Sequence, residues 1–594
     1  MCGISGLICE EPLSDADLTE AKRMNAALFH RGPDGEGFFQ SERLILGMRR
    51  LSIIDVAGAN QPLFGSTQET VVLFNGEIYN YLELRAELET SGHCFTTHGD
   101  GEVVPHLYEK YGIDFVHRLR GMFAISLLDR KRERFYLLRD RMGEKPIYYR
   151  QAEGRFSYAS EMKALLETMP VRDRRLSAEA INHYLHYQFV PEPMTLIREV
   201  RKVPAGHYLD LDLKSLRYET KKYWDFSAAP PVECADPIAE VRGKLDSITK
   251  IIGRSDVPVG IALSGGVDSS AVAALFEHEN RDRELTRAFT VGYAGEPETD
   301  ERKFARALAQ KLRIPIVEIE LRTEDFVESF PDLVGDMDDP VADIAAYGIY
   351  SVMKAARRDQ VKVLLNGVGA DEIFWGYSWV TEAVRESAKR TGDLVFYDSN
   401  RDYRFAARQV SSLYPKALRE EFRERSPESQ IEREGKQDVQ IEIMNRLVKG
   451  WLFADPVALG DRLSMANSVE LRSPFLDHEL VELVVGLNKA RPDLYRDPAK
   501  ELLKKAVRGL VPDEVLNRPK QGFTPPATRW RLGVIRRYGS RLWNGYLVRE
   551  KFIERSGLAK LLLVERPTVF YLYKLVLLEL WCERFLEGSG KAAA

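Results

Sequence analysis

Cysteine stands second in the chain, in Met1-Cys2-Gly3-Ile4. Its small side chain permits removal of the initiator methionine, which leaves a free α-amine on Cys2. Such an amine titrates near ~7.7–8.0 and can act as general base for its own thiol. The thiolate so formed is the stronger nucleophile. Other residues complete a candidate acyl-transfer site. Arg50, in the strand-like Arg50-Leu51-Ser52-Ile53, can clamp an α-carboxylate through two hydrogen bonds. Glu77 and Asp100 can hold an ammonium. The Asn75 amide and the Gly76 N–H can stabilise an oxyanion, glycine permitting close approach. Plainer readings stand beside these: Cys2 as an ordinary second residue, Asn75-Gly76 as a hairpin turn, Asp100 as a helix cap, and Arg50 as a solvated strand residue.

A second group lies in Ser264-Gly265-Gly266-Val267-Asp268-Ser269-Ser270, after the apolar run Val257 to Leu263 and before a helical stretch. Two glycines let backbone N–H groups turn inward as an anion nest, and the helix N-terminus adds positive potential. Asp268 suits magnesium, which in nucleotide sites takes one or two carboxylates plus phosphate oxygens. The plainer reading is a serine-glycine turn. The lysine-bearing phosphate loop is absent; the nearest string, Gly588 to Lys591, lies in the tail with no strand before it. A later loop, Asn366-Gly367-Val368-Gly369-Ala370-Asp371-Glu372, could meet the first across the strand C-termini, where α/β sheets bind ligands.

These residues need two frames. To about Trp224 the chain is dense in short strand-like runs: Leu44 to Asp55, Thr70 to Tyr79, Met122 to Asp129, Arg134 to Asp140, Pro146 to Arg150 and Arg155 to Ala159. Two amphipathic helices interrupt them, around Leu84 and Leu88 and around Val104 and Leu107. Packed sheets are expected there rather than a βαβ repeat. After the linker-like Ala228-Ala229-Pro230-Pro231, strands (Leu285 to Val291, Pro315 to Leu321, Val361 to Leu365) alternate with helices (Asp268 to Phe276, Arg302 to Leu312), the mark of a parallel sheet. From Thr381 the pattern is helical to Leu586. With 594 residues, several domains are expected. A formal charge of −5 argues against general affinity for nucleic acid or membrane surfaces. No apolar run approaches the ~20 residues of a membrane span, and no secretory signal opens the chain, so a cytoplasmic location is expected. The five scattered cysteines never form a CxxC pair, which suggests neither a disulfide framework nor a zinc site.

Met1-Cys2-Gly3-Ile4, Arg31-Gly32-Pro33-Asp34, Arg50-Leu51-Ser52-Ile53, Asn75-Gly76-Glu77-Ile78-Tyr79-Asn80 and Gly121-Met122-Phe123-Ala124 resemble, in this order, the N-terminal-nucleophile glutamine amidotransferases. The resemblance implies a four-layer α-β-β-α sandwich, with Cys2 as nucleophile, Asn75 and Gly76 as oxyanion hole, and Arg50, Glu77 and Asp100 as glutamine clamp. The first loop resembles the SGGxDS motif of enzymes that adenylate a substrate and release pyrophosphate. With Asp461-Arg462-Leu463-Ser464-Met465, Arg472-Ser473-Pro474-Phe475-Leu476-Asp477, Lys500 with Lys504, and Arg518-Pro519-Lys520-Gln521-Gly522-Phe523, the whole chain resembles glutamine-hydrolysing asparagine synthetases. That implies a glutaminase domain over 1–224, an α/β ATP-pyrophosphatase synthetase domain with a helical C-terminal part over 225–587, and a flexible tail over 588–594. The resemblance further implies that Leu263 and Val291 touch adenosine, and that Ser264, Gly265, Gly266, Asp268, Ser269, Ser270, Asn366 and Gly367 surround ATP. Asp268 and Asp371 would bind Mg2+, and Lys500 would stabilise the reacting phosphorus and departing pyrophosphate. The implied partners are glutamine, ATP with Mg2+ and a carboxylate acceptor, aspartate first. No prosthetic group, nucleic acid or membrane is implied, and a homodimer is left open.

The chain departs from the family pattern in three places. Val368 stands where an acid is usual, Ser473 where valine is common, and Gly99-Asp100-Gly101-Glu102 replaces Ser-Asp-Thr-Glu. Either Asp371 or Glu372 covers the missing acid, or the acceptor is another carboxylate, such as a sugar acid or a natural-product intermediate. A glutamine-binding protein with a degenerate second site is the rival reading. The expected chemistry is glutamine hydrolysis through a Cys2 thioester, then attack of the freed ammonia on an acyl-adenylate. Ammonia in bulk water at neutral pH is mostly protonated, so a dry passage between the two sites is expected.

Overall fold

A computed structural model describes residues 1–280, 287–296, 300–389, 394, 410–424, 438–518, 525–562 and 568–587. The strands of the first part are β1 (Cys2–Cys9), β2 (Gly35–Gln40), β3 (Leu44–Arg50), β4 (Leu63–Phe64), β5 (Thr70–Ile78), β6 (Gly121–Asp129), β7 (Arg134–Arg139), β8 (Tyr148–Ala152), β9 (Arg155–Ala159), β10 (Arg201–Lys202), β11 (His207–Asp212) and β12 (Tyr218–Lys222). They form two six-stranded sheets, β10-β8-β9-β1-β3-β2 and β12-β11-β7-β6-β5-β4. Alternation along each strand divides its side chains between two layers. Ile4 and Ile8 of β1 meet Leu73, Leu128, Leu137 and Leu209 of the facing sheet. Leu7 and Cys9 face the other way, with Ala21 of helix Asp15–Ala27. The outer face of the second sheet, with Val72, Ile125 and Leu138, is covered by Leu84, Leu88, Val104 and Leu107. Helix, sheet, sheet, helix is the expected four-layer sandwich.

Some element expectations need correction. The expected strand Leu44 to Asp55 stops at Arg50, and the chain turns away from the sheet there. The helices number more than two: Asp15–Ala27 and Ala178–Tyr187 also form. The first carries a capping box that the residues Ser14 and Asp17 already signal. Asp17 N–H donates to Ser14 Oγ at 3.3 Å, and Ser14 N–H donates to the Asp17 carboxylate at 2.9 Å.

The second part holds β13 (Val259–Ala262), β14 (Ala288–Tyr293), β15 (Ile316–Leu321), β16 (Val363–Leu365) and β17 (Glu470–Arg472). Among the described residues these form one five-stranded sheet in the order β15-β14-β13-β16-β17, and every neighbouring pair is parallel. The order reverses between β13 and β16, so the crevice for a ligand lies at their carboxyl ends. Both glycine-bearing loops leave the sheet there. The expectation of helix alone after Thr381 overlooks β17, which is too short for periodicity to reveal. Of the expected tail and the motif around Lys520, residues 588–594 and 519–524 lie outside the described residues. No helix among the described residues is long and apolar enough to cross a membrane.

Candidate active sites

Strand β1 carries Cys2 beside Arg50 of β3, its registered partner. Cys2, Arg50, Gly76, Glu77 and Asp100 together line one cavity of ≈ 30 Å³. Asn75 joins them from β5: its Oδ1 accepts the Cys2 N–H at 2.8 Å, and its buried Nδ2 makes no hydrogen bond. That leaves an amide donor free for an oxygen developing charge next to the sulfur. Asn75-Gly76 lies mid-strand and makes no hairpin turn. Gly76 has φ +147°, and a Cβ there would stand 2.0 Å from the Met122 carbonyl oxygen, so glycine is required.

The residues expected as a clamp each have a local partner. The Arg50 guanidinium donates to the carbonyls of Ile54 at 3.3 Å, Asp55 at 2.6 Å and Val56 at 3.0 Å, which explains why the strand ends there. It is no solvated strand residue. Asp100 caps no helix; its carboxylate accepts the Ile78 N–H at 2.8 Å. Burial, opposed by that hydrogen bond, pushes the Asp100 carboxyl up to about 6. Burial, then the neighbouring Glu470 and Asp100 carboxylates, also push the Glu77 carboxyl well up. Burial raises the Cys2 thiol too, while the N-terminal ammonium pulls it down.

Residues from the second part close this pocket. With Met1 in place, its ammonium pairs with Glu470 of β17 at 3.0 Å. Arg472, two residues on, lies 3.3 Å from Glu77 and donates to the Ile252 carbonyl at 2.6 Å. Arg31 is fully buried: it donates to the Cys2 carbonyl at 3.1 Å and to Asp461 at 2.8 Å. Asp461 and Arg472 thus serve the first site, although the sequence places them with the second. Glu470 carries no motif at all, and β17 is too short for any pattern to single it out.

The second site sits at the sheet crevice. A cavity of ≈ 260 Å³ is lined by Leu263, Ser264, Val291, Asn366 and Val368, among others. Gly265 takes φ +78°, and a Cβ there would meet the Ala305 N–H nitrogen at 2.7 Å. The loop is tied by its own serines: Gly266 N–H donates to Ser264 Oγ at 3.2 Å, and Ser264 Oγ lies 3.0 Å from Ser269 Oγ. Ser270 is fully buried behind it, with its N–H donated to the Gly266 carbonyl at 3.1 Å. Asn366 Oδ1 accepts from Val368 N–H at 2.8 Å and Ser473 Oγ at 3.0 Å, while its buried Nδ2 makes no hydrogen bond. Gly367 packs directly on Asp268, since a Cβ there would lie 2.7 Å from the Asp268 Cβ.

Asp268 and Asp371, from the two loops, converge on one cation. Lys500 Nζ lies 2.6 Å from Asp268 and 2.7 Å from Asp371. Burial works against the Lys500 ammonium, but the two carboxylates outweigh it and hold its pKa above the ordinary lysine value. Two hard oxygen donors that close on a single positive charge fit a magnesium ion shared with phosphate oxygens. Glu372, next in line, is buried and accepts the Tyr377 hydroxyl at 2.8 Å; burial and then Asp371 push its carboxyl up to about 7. The same cavity is lined by Asp343 and Asp455, which no sequence motif marks. Asp455 accepts from Gln188 at 2.8 Å, and burial, then Asp343, hold its carboxyl well up.

A glutamine amidotransferase domain model matches residues 1–224, and an asparagine synthase model matches residues 240–583. Glutamine-hydrolysing asparagine synthetase 1 of Bacillus subtilis (strain 168) is 33% identical over 579 residues, covering 89% of this chain and 88% of the relative. A putative glutamine-hydrolysing asparagine synthetase of Mycobacterium tuberculosis H37Rv is 33% identical over 585 residues, with 89% and 88% covered. The amidase chyE of Penicillium rubens is 28% identical over 616 residues, covering 90% of each chain. With a cavity around Cys2 on one sheet pair and a crevice between glycine-bearing loops on a parallel sheet, the chain belongs to the asparagine synthetase family of glutamine-hydrolysing ligases.

Proposed function

We propose that the chain moves the amide nitrogen of glutamine onto a carboxylate, aspartate first, through an acyl-adenylate made from ATP. Glutamate, AMP and pyrophosphate are the other products. In this reading Met1 is removed and the Cys2 amine takes the thiol proton. The sulfur attacks the glutamine amide carbon, and Asn75 Nδ2–H and the Gly76 N–H receive the oxyanion. The C–N bond breaks, ammonia leaves with the proton, and water clears the thioester to glutamate. Arg50 receives the glutamine α-carboxylate, and Asp100 with Glu77 the α-ammonium. At the second site an acceptor carboxylate oxygen attacks the α-phosphorus and pyrophosphate departs. Ammonia then displaces AMP from the acyl carbon. Asp268 and Asp371 would hold Mg2+, which when bound neutralises phosphate charge; Lys500 holds the same charge from the protein side.

The observation that carries this reading is the connection between the sites. One apolar cluster contains Leu51, Ile53, Tyr79 and Met122 from the first part and Ile248, Leu263 and Leu365 from the second. A cavity of ≈ 10 Å³, about the space of one water, opens in the seam beside Tyr79, Met142 and Ile252. Asp140, Glu144 and Asp477 also line that cavity, so it is the apolar cluster and not the cavity that supports a route for neutral ammonia.

The deciding experiment supplies glutamine, Mg2+-ATP and a panel of carboxylates, and measures AMP, pyrophosphate and glutamate. Aspartate is expected to give all three in equal amounts. Sugar acids and apolar acids belong in the panel because Val368 puts an isopropyl group on the cavity wall. ADP in place of AMP would refute adenylation.

Two further expectations concern the first site. Asn75→Ala removes an oxyanion donor and should cost glutamine hydrolysis about 10²–10³-fold in kcat. Its partner measurement, KM for glutamine, should change far less. Asp100 must be ionised to bind an ammonium, and its carboxyl sits near 6. KM for glutamine should therefore rise as pH falls below about 6, and Asp100→Asn should flatten that rise. The stability sign is opposite: a raised carboxyl pKa favours the fold below the ordinary carboxylate pKa and loses that contribution as pH rises through about 6. A pH-independent KM between 5 and 8 in the unaltered protein would count against Asp100 as the ammonium partner.

A further inference from the structure

A group of ligand-bearing side chains lies outside both sites. His93 follows helix Tyr81–Thr90; His106 and Glu109 sit one turn apart on helix Val103–Tyr111; Ser66 lies in the turn between β4 and β5. The ligand atoms of His93, His106 and Glu109 all fall within 4.8 Å of one another. His93 Nδ1 lies 3.3 Å from His106 Nδ1, and Ser66 Oγ lies 3.5 Å and 3.3 Å from the two. Glu109 Oε2 is 3.8 Å from His106 Nδ1.

The 3.3 Å between the two imidazole nitrogens has a simple geometric source. Two nitrogens bound at ~2.0–2.1 Å to one tetrahedral ion stand about 3.3–3.4 Å apart. A direct bond between two rings would instead close toward the ~2.7–3.2 Å of a good hydrogen bond. The Glu109 carboxylate is already oriented, accepting from the N–H groups of Ser66 at 3.0 Å and Thr67 at 3.3 Å and from Thr67 Oγ1 at 3.2 Å. Carboxylates that ligate a metal are themselves held by hydrogen bonds of this kind.

We propose that His93, His106 and Glu109 bind a zinc ion, with Ser66 Oγ at the fourth vertex. Two imidazoles and a carboxylate suit Zn2+ better than the hard ions Mg2+ or Ca2+, which favour oxygen alone. The ion ties three separate segments together: a β-turn, the segment 91–102 and the helix after it. Segment 91–102 carries Asp100, which lines the Cys2 cavity. The zinc is structural, and it fixes the stretch of chain that positions Asp100. Cysteine spacing gives no hint of the site because no thiol takes part, and the third segment, Ser66, is remote in sequence.

The test uses the full chain, stripped with chelator and dialysed, then loaded with ZnCl2 or CoCl2 alone. One equivalent of zinc should remain by elemental analysis, and thermal unfolding should shift upward. Cobalt should give the intense visible bands of a tetrahedral site without a thiolate charge-transfer band. His93 is half-buried, so His93→Ala should fold; Glu109→Gln is the second variant. Each should weaken zinc at least about 100-fold, beyond the loss seen for residues that only support a ligand. No zinc retained by the unaltered chain, a cobalt spectrum of octahedral or thiolate type, or equal retention by both variants would overturn the proposal. None of these readouts depends on amide transfer.

Discussion

Replacing Cys2 by alanine is expected to lower glutamine hydrolysis at least about 10⁴-fold while amidation supported by high ammonium survives. Loss of a nucleophile that begins a covalent pathway removes the pathway, and comparable knockouts cost that much or more. A factor of 10⁴ corresponds to about 5.5 kcal/mol of transition-state stabilisation. The substitution leaves the surroundings intact. The Cys2 backbone keeps its N–H to Asn75 and its carbonyl to Arg31, and alanine is as small a second residue, so Met1 removal is preserved. That matters because the Met1 ammonium, while present, is engaged by Glu470 and the Leu51 carbonyl. The second site lies on another sheet and should form amide from ammonium with AMP released in equal amount. Loss of both activities in a folded variant would contradict two sites working in series.

The contrast between these sites shows what a sequence exposes. Cys2, Asn75 and Gly76 are legible because the chemistry proposed for them needs particular residue types, a thiol at the second position and an Asn-Gly pair within a strand-like run. The two glycine-bearing loops are legible because each follows an apolar run. What binds the sites together is not local. Arg31 meets Asp461 and Arg472 meets Glu77 across the interface between the two parts, and no periodicity links them. Strand β17 has three residues, too few for alternation, yet it brings Glu470 and Arg472 to the first site. Leu51 to Ile54 read as a continuing strand because they are apolar. The apolarity of Leu51, Ile53 and Ile54 serves the cluster joining the sites, while the carbonyls of Ile54, Asp55 and Val56 are turned toward Arg50. Asp343 and Asp455 carry no signal in the sequence for a related reason: a buried acid reads there like any surface acid.

The second large effect is expected from Lys500→Met, which should lower AMP and pyrophosphate formation about 10²–10³-fold and leave glutamine hydrolysis unchanged. Lys500 is buried, heads helix Glu501–Ala506, and spends its ammonium on Asp268 and Asp371. Methionine keeps the length and removes the charge. The two carboxylates then lose the cation they share, which should cost about 1–3 kcal/mol of stability, less than for a fully buried pair because their side chains keep 23% and 20% exposure. Added Mg2+ should recover that stability, since it would occupy the position between the same oxygens, but it should not recover the rate. A charge needed only to hold the two loops together could be replaced by the ion; a charge needed at the departing pyrophosphate could not. Lysine to arginine should fail as well. A Cβ at Gly376 would lie 2.5 Å from Lys500 Cε, so the pocket has no room for a guanidinium. Full AMP formation by Lys500→Met with Mg2+ present would therefore reduce Lys500 to a structural counter-ion and return the leaving-group role to residues outside this pair.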